Sequence, residues 1–300
     1  MEQASNREIV RRAWEAGRVV PGFNICDPPM MAPVVRALRE TRSFGFIMVA
    51  RPDWTRFEAG GPKRIREEYE QCKDERHTRL HLDHVPAIDE EGQQVDYLPI
   101  LEEALALGYG SVMVDGSRLP LEENIAATRR AVEVAQRWDA AVEGELGAVL
   151  GHESGPLPPY EELFATGQGF TDPEEAARFV AETGADWLSV AIGNVHGAIS
   201  GAQSRAKKVE ARLNIDRLRA IRDAVKAPLV LHGGSGIARG HLAEAFRNGI
   251  AKINVATAIR QPYKRALPQG LDAARHAVYE TVLGLLRGEL EGVGLAEAVL

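Results

Sequence analysis

Eight polar side chains that can bind metals or move protons stand near the ends of short apolar segments. They are Asn24, Asp83, His84, Asp115, Glu145, His196, His232 and Asn254. Neutral imidazoles and carboxylates are the ligands that Zn2+ and similar divalent ions use in catalytic sites, where one coordination position stays open for substrate. The sequence therefore predicts that His84, His196 and His232 bind a divalent metal with acidic residues beside it.

A single histidine is more often a hydrogen-bonded structural residue than a ligand, so each of the three has an ordinary alternative. Their shared position at segment ends favours the metal interpretation. His81 lies deeper in its segment than Asp83, which predicts a supporting or structural role. The histidines predicted to lie on the surface, in loop or helix patterns, are His77, His241 and His276.

Glycines surround two of the candidate ligands, in the segments GNVHG (193–197) and HGGSG (232–236). Because glycine has no Cβ, the backbone there can approach a ligand closely and aim N–H groups at an anion. With Ser235 as a further donor the pattern fits a phosphate site, and it also fits two tight turns that need positive φ. The segment KINVAT (252–257) favours phosphate, since barrels often bind phosphate near their last two strands.

The segments that carry these residues are β-rich and repeat at intervals typical of strand–helix units. Eight of them span residues 19–25, 44–50, 78–84, 110–116, 140–146, 186–193, 227–233 and 250–256. Helical patterns fill most of the gaps, as expected for a parallel sheet. The sequence predicts an α/β protein folded as a (β/α)8 TIM barrel, whose active site lies at the carboxyl ends of the strands.

The gaps between the strands contain helix boundaries and two long loops. Asp172 can cap a helix, Pro173 suits its first turn and Gly184 can end it. The connections 147–170 and 196–213, after strands five and six, are predicted to be long irregular active-site loops. From about Ala256 the pattern is helical, and this tail could pack on its own chain or on another subunit. No repeat or linker divides residues 1–300, which predicts a single domain.

Composition excludes several classes of partner. The 300 residues include 36 Lys+Arg and 43 Asp+Glu, a net charge of −7, and no basic stripe interleaved with aromatics, which argues against nucleic acid. The apolar run 44–50 is too short to span a bilayer, and the first residues lack the apolar region of a signal peptide. Cys26 and Cys72 have no disulfide or metal spacing. We predict a cytoplasmic protein with a small-molecule partner and no membrane contact.

Several segments together resemble the class II, metal-dependent ketose-bisphosphate aldolases, which include the fructose- and tagatose-bisphosphate enzymes. The segments are PGFN, LHLDH, SVMVDGS with LPLEENI, VEGELG, TDPEEAARFV, VAIGNVHG, PLVLHGGSG and GIAKINVAT. They follow the family's order from about residue 20 to 260. The resemblance implies a lyase that cleaves or forms a phosphorylated ketose through the enediolate of dihydroxyacetone phosphate, and a homodimer or homotetramer.

The resemblance also implies roles for individual residues. It implies a Zn2+ ion, or another divalent metal, bound by His84, His196 and His232, with Asp115 and Glu145 as nearby carboxylates. It implies Asp83 as the acid/base at the C4 hydroxyl and Glu153 as the base that takes a proton from the donor carbon. The candidate substrate-binding and phosphate-binding residues are Asn24, Gly197, Gly233, Ser235, Asn254 and Thr257, with a monovalent cation near the phosphate.

Other positions depart from the family's pattern. In the loop after strand five, His152 and Ser154 replace a Gly and an Asp, and the Gln-x-Ser after strand two is replaced by Met48 and Ala50. The Asp-Thr-Asp that often follows the last strand in the fructose enzymes is Ala-Thr-Ala at 256–258. The loop after strand six carries a basic group that either contacts a second anion or is solvated: Arg205, Lys207 and Lys208. Fructose 1,6-bisphosphate is therefore not assumed to be the substrate.

Alternative functions stay open on the sequence alone. The altered loop is compatible with a catalytically altered barrel that binds sugar phosphate, although retention of Asp83 and Glu153 argues against this. An aldolase that uses a different carbonyl donor is a second alternative. A third makes Lys252 a Schiff-base nucleophile in a metal-free aldolase. Its position well before the strand end favours a structural role.

Overall fold

Eight parallel strands close into a barrel in the computed structural model, which describes residues 3–149, 159–194, 211–234, 237 and 239–300. The strands are β1 Val20–Asn24, β2 Gly45–Ala50, β3 Thr78–Pro86, β4 Ser111–Asp115, β5 Ala141–Leu146, β6 Trp187–Val190, β7 Leu229–Leu231 and β8 Ile250–Val255. Each strand pairs with the next, and β8 closes on β1 with Asn254 opposite Gly22. The predicted TIM barrel is confirmed, and each predicted strand corresponds to an observed one.

Helices surround the barrel. They are α1 Asn6–Glu15, α2 Met31–Glu40, α3 Arg51–Thr55, α4 Gly61–Cys72, α5 Tyr97–Ala106, α6 Leu121–Gln136, α7 Tyr160–Thr166, α8 Pro173–Thr183, α9 Ile215–Ala224, α10 Arg239–Arg247, α11 Thr257–Ala266, α12 Leu271–Arg287 and α13 Leu295–Val299. Among the described residues, no helix is both long and apolar enough to cross a membrane. The Asp172 carboxylate caps α8 as predicted, accepting from the backbone N–H groups of Glu174 and Glu175 at 2.9 and 3.1 Å.

The first predicted loop is not wholly irregular. Within residues 147–170 the chain forms α7, which begins after Pro159 and buries Leu163. Two acidic residues in its first turn, Glu161 and Glu162, favour a helix N-terminus because they face its positive dipole end. The rest of this loop at 150–158, and residues 195–210 of the second loop, lie outside the described residues.

An apolar floor closes the amino-terminal end of the barrel. Phe46 and Trp187 point inward from β2 and β6, and their ring centroids lie 5.8 Å apart. Beneath them α1 and α13 contribute Ile9, Leu295 and Val299, all fully buried. The helical tail therefore packs on its own chain, and the Arg12 guanidinium donates to the carbonyl oxygens of residues 299 and 300. With this end sealed by side chains, the carboxyl ends of the strands are left to form a site.

Replacing Trp187 by Ala should lower the free energy of unfolding by about 3–5 kcal/mol, because it empties a large volume that the floor cannot refill. Trp187 is 1% exposed, whereas Trp138 is 51% exposed, so Trp138→Ala is a matched control expected to change stability by about 0.5 kcal/mol or less. Urea denaturation followed by circular dichroism measures both variants. Equal losses in the two would contradict this account of the floor.

Candidate active site

The strand ends bring most of the predicted residues together in one buried cluster. Relative exposure is 8% or less for each of these residues: Asn24, Asp83, His84, Asp115, Glu145, His232 and Asn254. Thr257, 9% exposed, begins α11 directly beyond β8. Four other predicted site residues lie outside the described part of the chain: Glu153, His196, Gly197 and Ser235.

Two imidazoles and one carboxylate converge at the centre of the cluster. The Glu145 Oε2 atom lies 3.6 Å from His232 Nδ1 and 3.9 Å from His84 Nδ1. One potential ligand atom from each of the three residues lies within 4.8 Å of the other two. This spacing and this donor set fit one divalent ion held between the three side chains.

A local irregularity in β3 places His84. The pairing register between β3 and β4 shifts between Leu82 and Val85, and His84 has a positive φ of 37°. An extra residue in a strand redirects the side chain beside it, and a non-glycine residue at positive φ is uncommon. The bulge turns His84 toward the centre, where its Nε2 lies 3.3 Å from Asp115 Oδ2. Asp115 therefore lies on the side of the ring opposite Glu145.

Glu145 is buried beside another acid. Burial, and then repulsion from Asp115, raises the pKa of Glu145 well above its usual range, although Ser189 Oγ donates a hydrogen bond to it at 3.1 Å. A positive charge beside this carboxyl would favour its ionised form again. The local electrostatics are therefore those of a site that gains from a bound cation.

Glu143 fixes the second imidazole from below. It points to the same face of β5 as Glu145, since side chains two residues apart share a face. Its Oε1 lies 2.7 Å from His232 Nε2, and its Oε2 lies 2.9 Å from the ammonium of Lys252. Burial alone would raise the pKa of Glu143, but Lys252 and His232 outweigh burial and hold it well below its usual range. An ionised Glu143 accepts a hydrogen bond from the Nε2–H group of His232, and in this tautomer Nδ1 is able to bind a metal.

Lys252 is a structural cation in this arrangement. It is fully buried, and besides Glu143 it donates to Asn254 Oδ1 at 2.6 Å. This placement agrees with the structural role that the sequence favoured over a Schiff-base role. Sequence analysis did not single out Glu143. The sequence did contain a sign of its role: Glu143 and Lys252 both lie inside apolar strands, where buried charged residues are stable only in pairs.

Asp83 is held by two amides. Asn24 Nδ2 donates to its Oδ2, and Asn254 Nδ2 donates to its Oδ1, both at 2.8 Å. Burial would raise the pKa of Asp83, but attraction to His232 and Lys252 is stronger and lowers it. Asp83 is therefore ionised and fixed in orientation beside the two imidazoles.

Asp53 is a second acid near this position that sequence analysis missed. Its Oδ2 accepts from the backbone N–H of Ala50 at 2.8 Å and lies 3.3 Å from Asn24 Nδ2. Burial raises the pKa of Asp53 to about 6. Asn24 thus bridges Asp53 and Asp83. The sequence offered no sign of this, because Asp53 lies in α3 beyond the strand end.

The other histidines divide into two groups. His81 is buried deeper in β3, where Ser111 Oγ lies 2.8 Å from its Nδ1, and burial lowers the pKa of His81 to about 3. It is a neutral residue above the apolar floor. His276 is exposed as predicted, but His77 is only 9% exposed, so its predicted surface position is wrong. It is buried because the turn before β3 directs it toward Asp74, whose Oδ1 lies 3.1 Å from its Nδ1.

The glycines after β7 have structural reasons for their type. Gly233 has a φ of 68°, and a Cβ on Gly234 would lie 2.7 Å from the side chain of Ile253. Both positions therefore need glycine to make the turn and to pack on β8. The tight-turn interpretation accounts for these two residues.

An eight-stranded parallel barrel with imidazoles and carboxylates at the carboxyl ends of its strands defines a metal-dependent barrel enzyme. A family model described as class-II fructose-bisphosphate aldolase matches residues 4–288. The chain belongs to this family, and it is a metal-dependent aldolase, as the sequence motifs implied.

Solved structures of aldolases share the whole fold. The YdjI aldolase from Escherichia coli K12 is 27% identical, with a TM-score of 0.76 over 98% of this chain and 100% of that chain. The fructose-bisphosphate aldolase from Campylobacter jejuni is 19% identical, with a TM-score of 0.71 over 96% of this chain and 94% of that chain. The second likeness concerns the fold alone.

Replacing Lys252 by Met should lower the free energy of unfolding by about 3–5 kcal/mol, because Glu143 then becomes a buried charge without its main partner. The double variant Lys252→Met/Glu143→Gln should recover most of this loss, since it removes both charges. Urea denaturation of the two single variants and the double variant at pH 7 measures the coupling. Additive losses would show that the two residues do not stabilise each other.

Proposed function

We propose that the protein catalyses aldol cleavage and formation of a phosphorylated ketose, with dihydroxyacetone phosphate as the donor half. The supporting observation is the convergence of His84 Nδ1 and His232 Nδ1 on Glu145 Oε2, with the fixed carboxylate of Asp83 beside them. Membership of the aldolase family supports the reaction class. The acceptor aldehyde is left open, and fructose 1,6-bisphosphate is not assumed.

The residues fit a Zn2+ ion, or another divalent metal, bound by His84, His232 and His196. Asp115 and Glu143 hold the Nε2 atoms of the first two, so both Nδ1 atoms face the same point. Carboxylates that hold the far nitrogen of a ligand histidine fix the orientation of its ring. Glu145 provides a further carboxylate beside the ion, and Asp115 acts through the far nitrogen of His84. A divalent ion there supplies Lewis-acid stabilisation of the charge that develops on the donor carbonyl oxygen.

Two carboxylates divide the proton transfers. In the cleavage direction, ionised Asp83 takes the proton of the C4 hydroxyl, the bond between the donor carbon and C4 breaks as the aldehyde forms, and protonated Glu153 returns a proton to the donor carbon. Formation reverses these steps: ionised Glu153 takes the donor proton, and Asp83, protonated at that stage, gives its proton to the aldehyde oxygen. Asp83 suits the role because its two amide partners fix its position. The role of Glu153 rests on the family resemblance.

The phosphate end of the donor is assigned to the turns after β6 and β7 and to the start of α11. Thr257 is the first residue of α11, and the positive end of a helix dipole favours an anion. The residues proposed for this end are Asn24, Gly197, Gly233, Ser235, Asn254 and Thr257, with a monovalent cation beside the phosphate. Asn254 also orients Asp83, so it connects the donor end to the acid/base.

The domain organisation, the oligomeric state and the cellular compartment are part of the same proposal. We assign a single domain over residues 1–300 because no repeat or linker divides the sequence, and a homodimer or homotetramer on the family resemblance. Cys26 and Cys72 are free thiols, which is consistent with a reducing cytoplasmic setting.

The half-reaction with dihydroxyacetone phosphate tests this function without knowledge of the acceptor. Zinc-loaded enzyme in D2O should exchange one proton of the donor carbon of dihydroxyacetone phosphate for deuterium. Proton NMR measures this exchange, and a chelator should abolish it. His84→Ala, His196→Ala and His232→Ala should each lose both exchange and bound zinc, because a ligand is removed. Full zinc content in any of these variants would remove that residue from the ligand set, and no exchange by the zinc-loaded protein would overturn the function.

The two proton-transfer roles separate in a second experiment. Asp83→Asn should slow aldol formation about 10²–10⁴-fold while donor-proton exchange continues, because Asp83 acts only at the acceptor oxygen. Glu153→Gln should slow exchange by a similar factor with unchanged zinc content. Proton NMR gives both rates, and metal analysis checks occupancy. If Asp83→Asn lost donor-proton exchange and Glu153→Gln kept it, the proton-transfer roles of the two residues would be the reverse of those proposed.

A further inference from the structure

Two asparagine amides flank the proposed acid/base Asp83, and a charged side chain fixes the orientation of one of them. Asn254 Nδ2 donates to Asp83 Oδ1 at 2.8 Å, and Asn254 Oδ1 accepts from the ammonium of Lys252 at 2.6 Å. An ammonium can only donate, so this amide cannot turn over without directing its own NH2 group at Lys252. Lys252 therefore fixes the end of Asn254 that faces Asp83.

Asp53 stands in the same relation to the second amide. Asn24 Nδ2 donates to Asp83 Oδ2 at 2.8 Å and to Asp53 Oδ2 at 3.3 Å. An ionised carboxylate can only accept, so a turned-over Asn24 would direct its amide oxygen at the carboxylate of Asp53. Met48 lies opposite Asn24 on β2 and has no amide, hydroxyl or charge with which to share this task. Asp53 therefore fixes the end of Asn24 that faces Asp83.

Both partners of this contact are buried. Relative exposure is 4% for Asn24 and 6% for Asp53, so little water reaches either side chain. Burial raises the pKa of Asp53 to about 6, and hydrogen bonds from the Ala50 N–H and from Asn24 oppose the rise. The carboxyl is therefore ionised at neutral pH. An ionised carboxylate with so little water around it holds an amide donor more firmly than it would at the surface.

The orientation of Asn24 matters most at the stage of the proposed reaction in which Asp83 carries a proton. An ionised Asp83 attracts the NH2 groups of both amides, whereas a protonated carboxyl can also donate to an amide oxygen. Its Oδ1 faces the NH2 group of Asn254, which Lys252 fixes, so the proton lies on Oδ2, on the side of Asn24. There a turned-over Asn24 would accept this proton in a hydrogen bond and compete with the aldehyde oxygen for it.

We propose that Asp53 is a positioning residue for the aldol step, which holds the NH2 group of Asn24 toward Asp83 and so keeps the proton of Asp83 available to the aldehyde oxygen. The inference rests on the proposed function, because it concerns the acid/base of the same reaction. The proton leaves Asp83 Oδ2 and joins the aldehyde oxygen, whereas Asn24 and Asp53 neither gain nor lose a proton. Asp53 acts through Asn24 and need not touch the substrate.

Asp53 also has an ordinary structural contact, because its Oδ2 accepts from the Ala50 N–H at 2.8 Å at the start of α3. Asp53→Asn separates the two roles. The new side-chain oxygen can still accept from the Ala50 N–H, but the new NH2 group can also pair with a turned-over Asn24. Asp27→Asn is the matched control, since Asp27 is a partly buried acid close to Asn24 in the chain whose Oδ2 accepts instead from Tyr263 Oη at 2.8 Å.

The aldol step and donor-proton exchange separate positioning from general damage to the site. Zinc-loaded enzyme is assayed at pH 7 with dihydroxyacetone phosphate, and with glycolaldehyde as the probe acceptor. Asp53→Asn should lower kcat for aldol formation about ten- to a hundredfold, the worth of one hydrogen bond to a charged group. Donor-proton exchange and zinc content should stay within twofold, because neither uses the proton of Asp83. Asp27→Asn should keep all three. Equal losses of exchange and aldol formation in Asp53→Asn would show general distortion and overturn the inference.

A double-mutant cycle tests whether Asp53 acts through Asn24. In an Asn24→Ala background the amide is absent, so adding Asp53→Asn should change aldol formation by less than about twofold. A further loss as large as that in the wild-type background would show that Asp53 acts by another route, and would contradict the positioning role.

NMR observes the amide directly and needs no acceptor. Protein labelled with 15N in asparagine alone gives the NH2 signal of Asn24, which is identified by its absence from Asn24→Ala. Both protons of this group should exchange slowly with water in the wild-type protein, because each donates to a carboxylate, and about tenfold or more faster in Asp53→Asn. Asp27→Asn should match the wild type. Equal exchange in Asp53→Asn and the wild type would overturn the inference, whatever the rates of catalysis.

The outcomes keep the two proposals apart. Normal donor-proton exchange together with normal aldol formation in Asp53→Asn would overturn the positioning role and leave the aldolase function standing. Absence of donor-proton exchange from the wild-type protein would overturn the proposed function, and the role of Asp53 in the aldol step with it.

Discussion

The ion pair between Lys252 and Glu143 in the barrel interior is the interaction on which the site depends. Charges buried this deeply are stable only when they are paired and hydrogen-bonded, so each fixes the position of the other. Glu143 then orients His232, and Lys252 orients Asn254, which in turn holds Asp83. A single buried pair thus positions a proposed metal ligand and the proposed acid/base together. The apolar floor beneath it keeps water away from this layer.

The metal cluster illustrates how a barrel brings together residues that its strands supply separately. His84, Glu145 and His232 come from β3, β5 and the end of β7, and closure of the sheet alone would not aim their side chains at one point. The bulge in β3 turns His84 inward, and the carboxylates of Asp115 and Glu143 fix the far nitrogens of the two rings. Convergence therefore results from one backbone irregularity and two supporting acids.

The two sides of the proposed reaction differ in how closely this chain follows its family. The segments that carry the proposed metal ligands and the proposed donor-binding residues keep the family's motifs, whereas positions such as Met48 and Ala50 do not. An enzyme that keeps its metal chemistry and changes its acceptor would be expected to differ in this way.

The sequence by itself determined the eight strands, their parallel order and the gathering of Asp83, His84, Asp115, Glu145, His232 and Asn254 at one end of the barrel. Strand periodicity and family motifs are local features of the sequence, so they can be recognised without coordinates. Only the tertiary structure decided which of these side chains meet. Glu143 and Lys252 pair across the interior because of sheet closure and register, and the bulge at His84 is a backbone event. Asp53 lies beyond a strand end, where position depends on how a short helix folds back over the barrel, a long-range effect that no local pattern encodes.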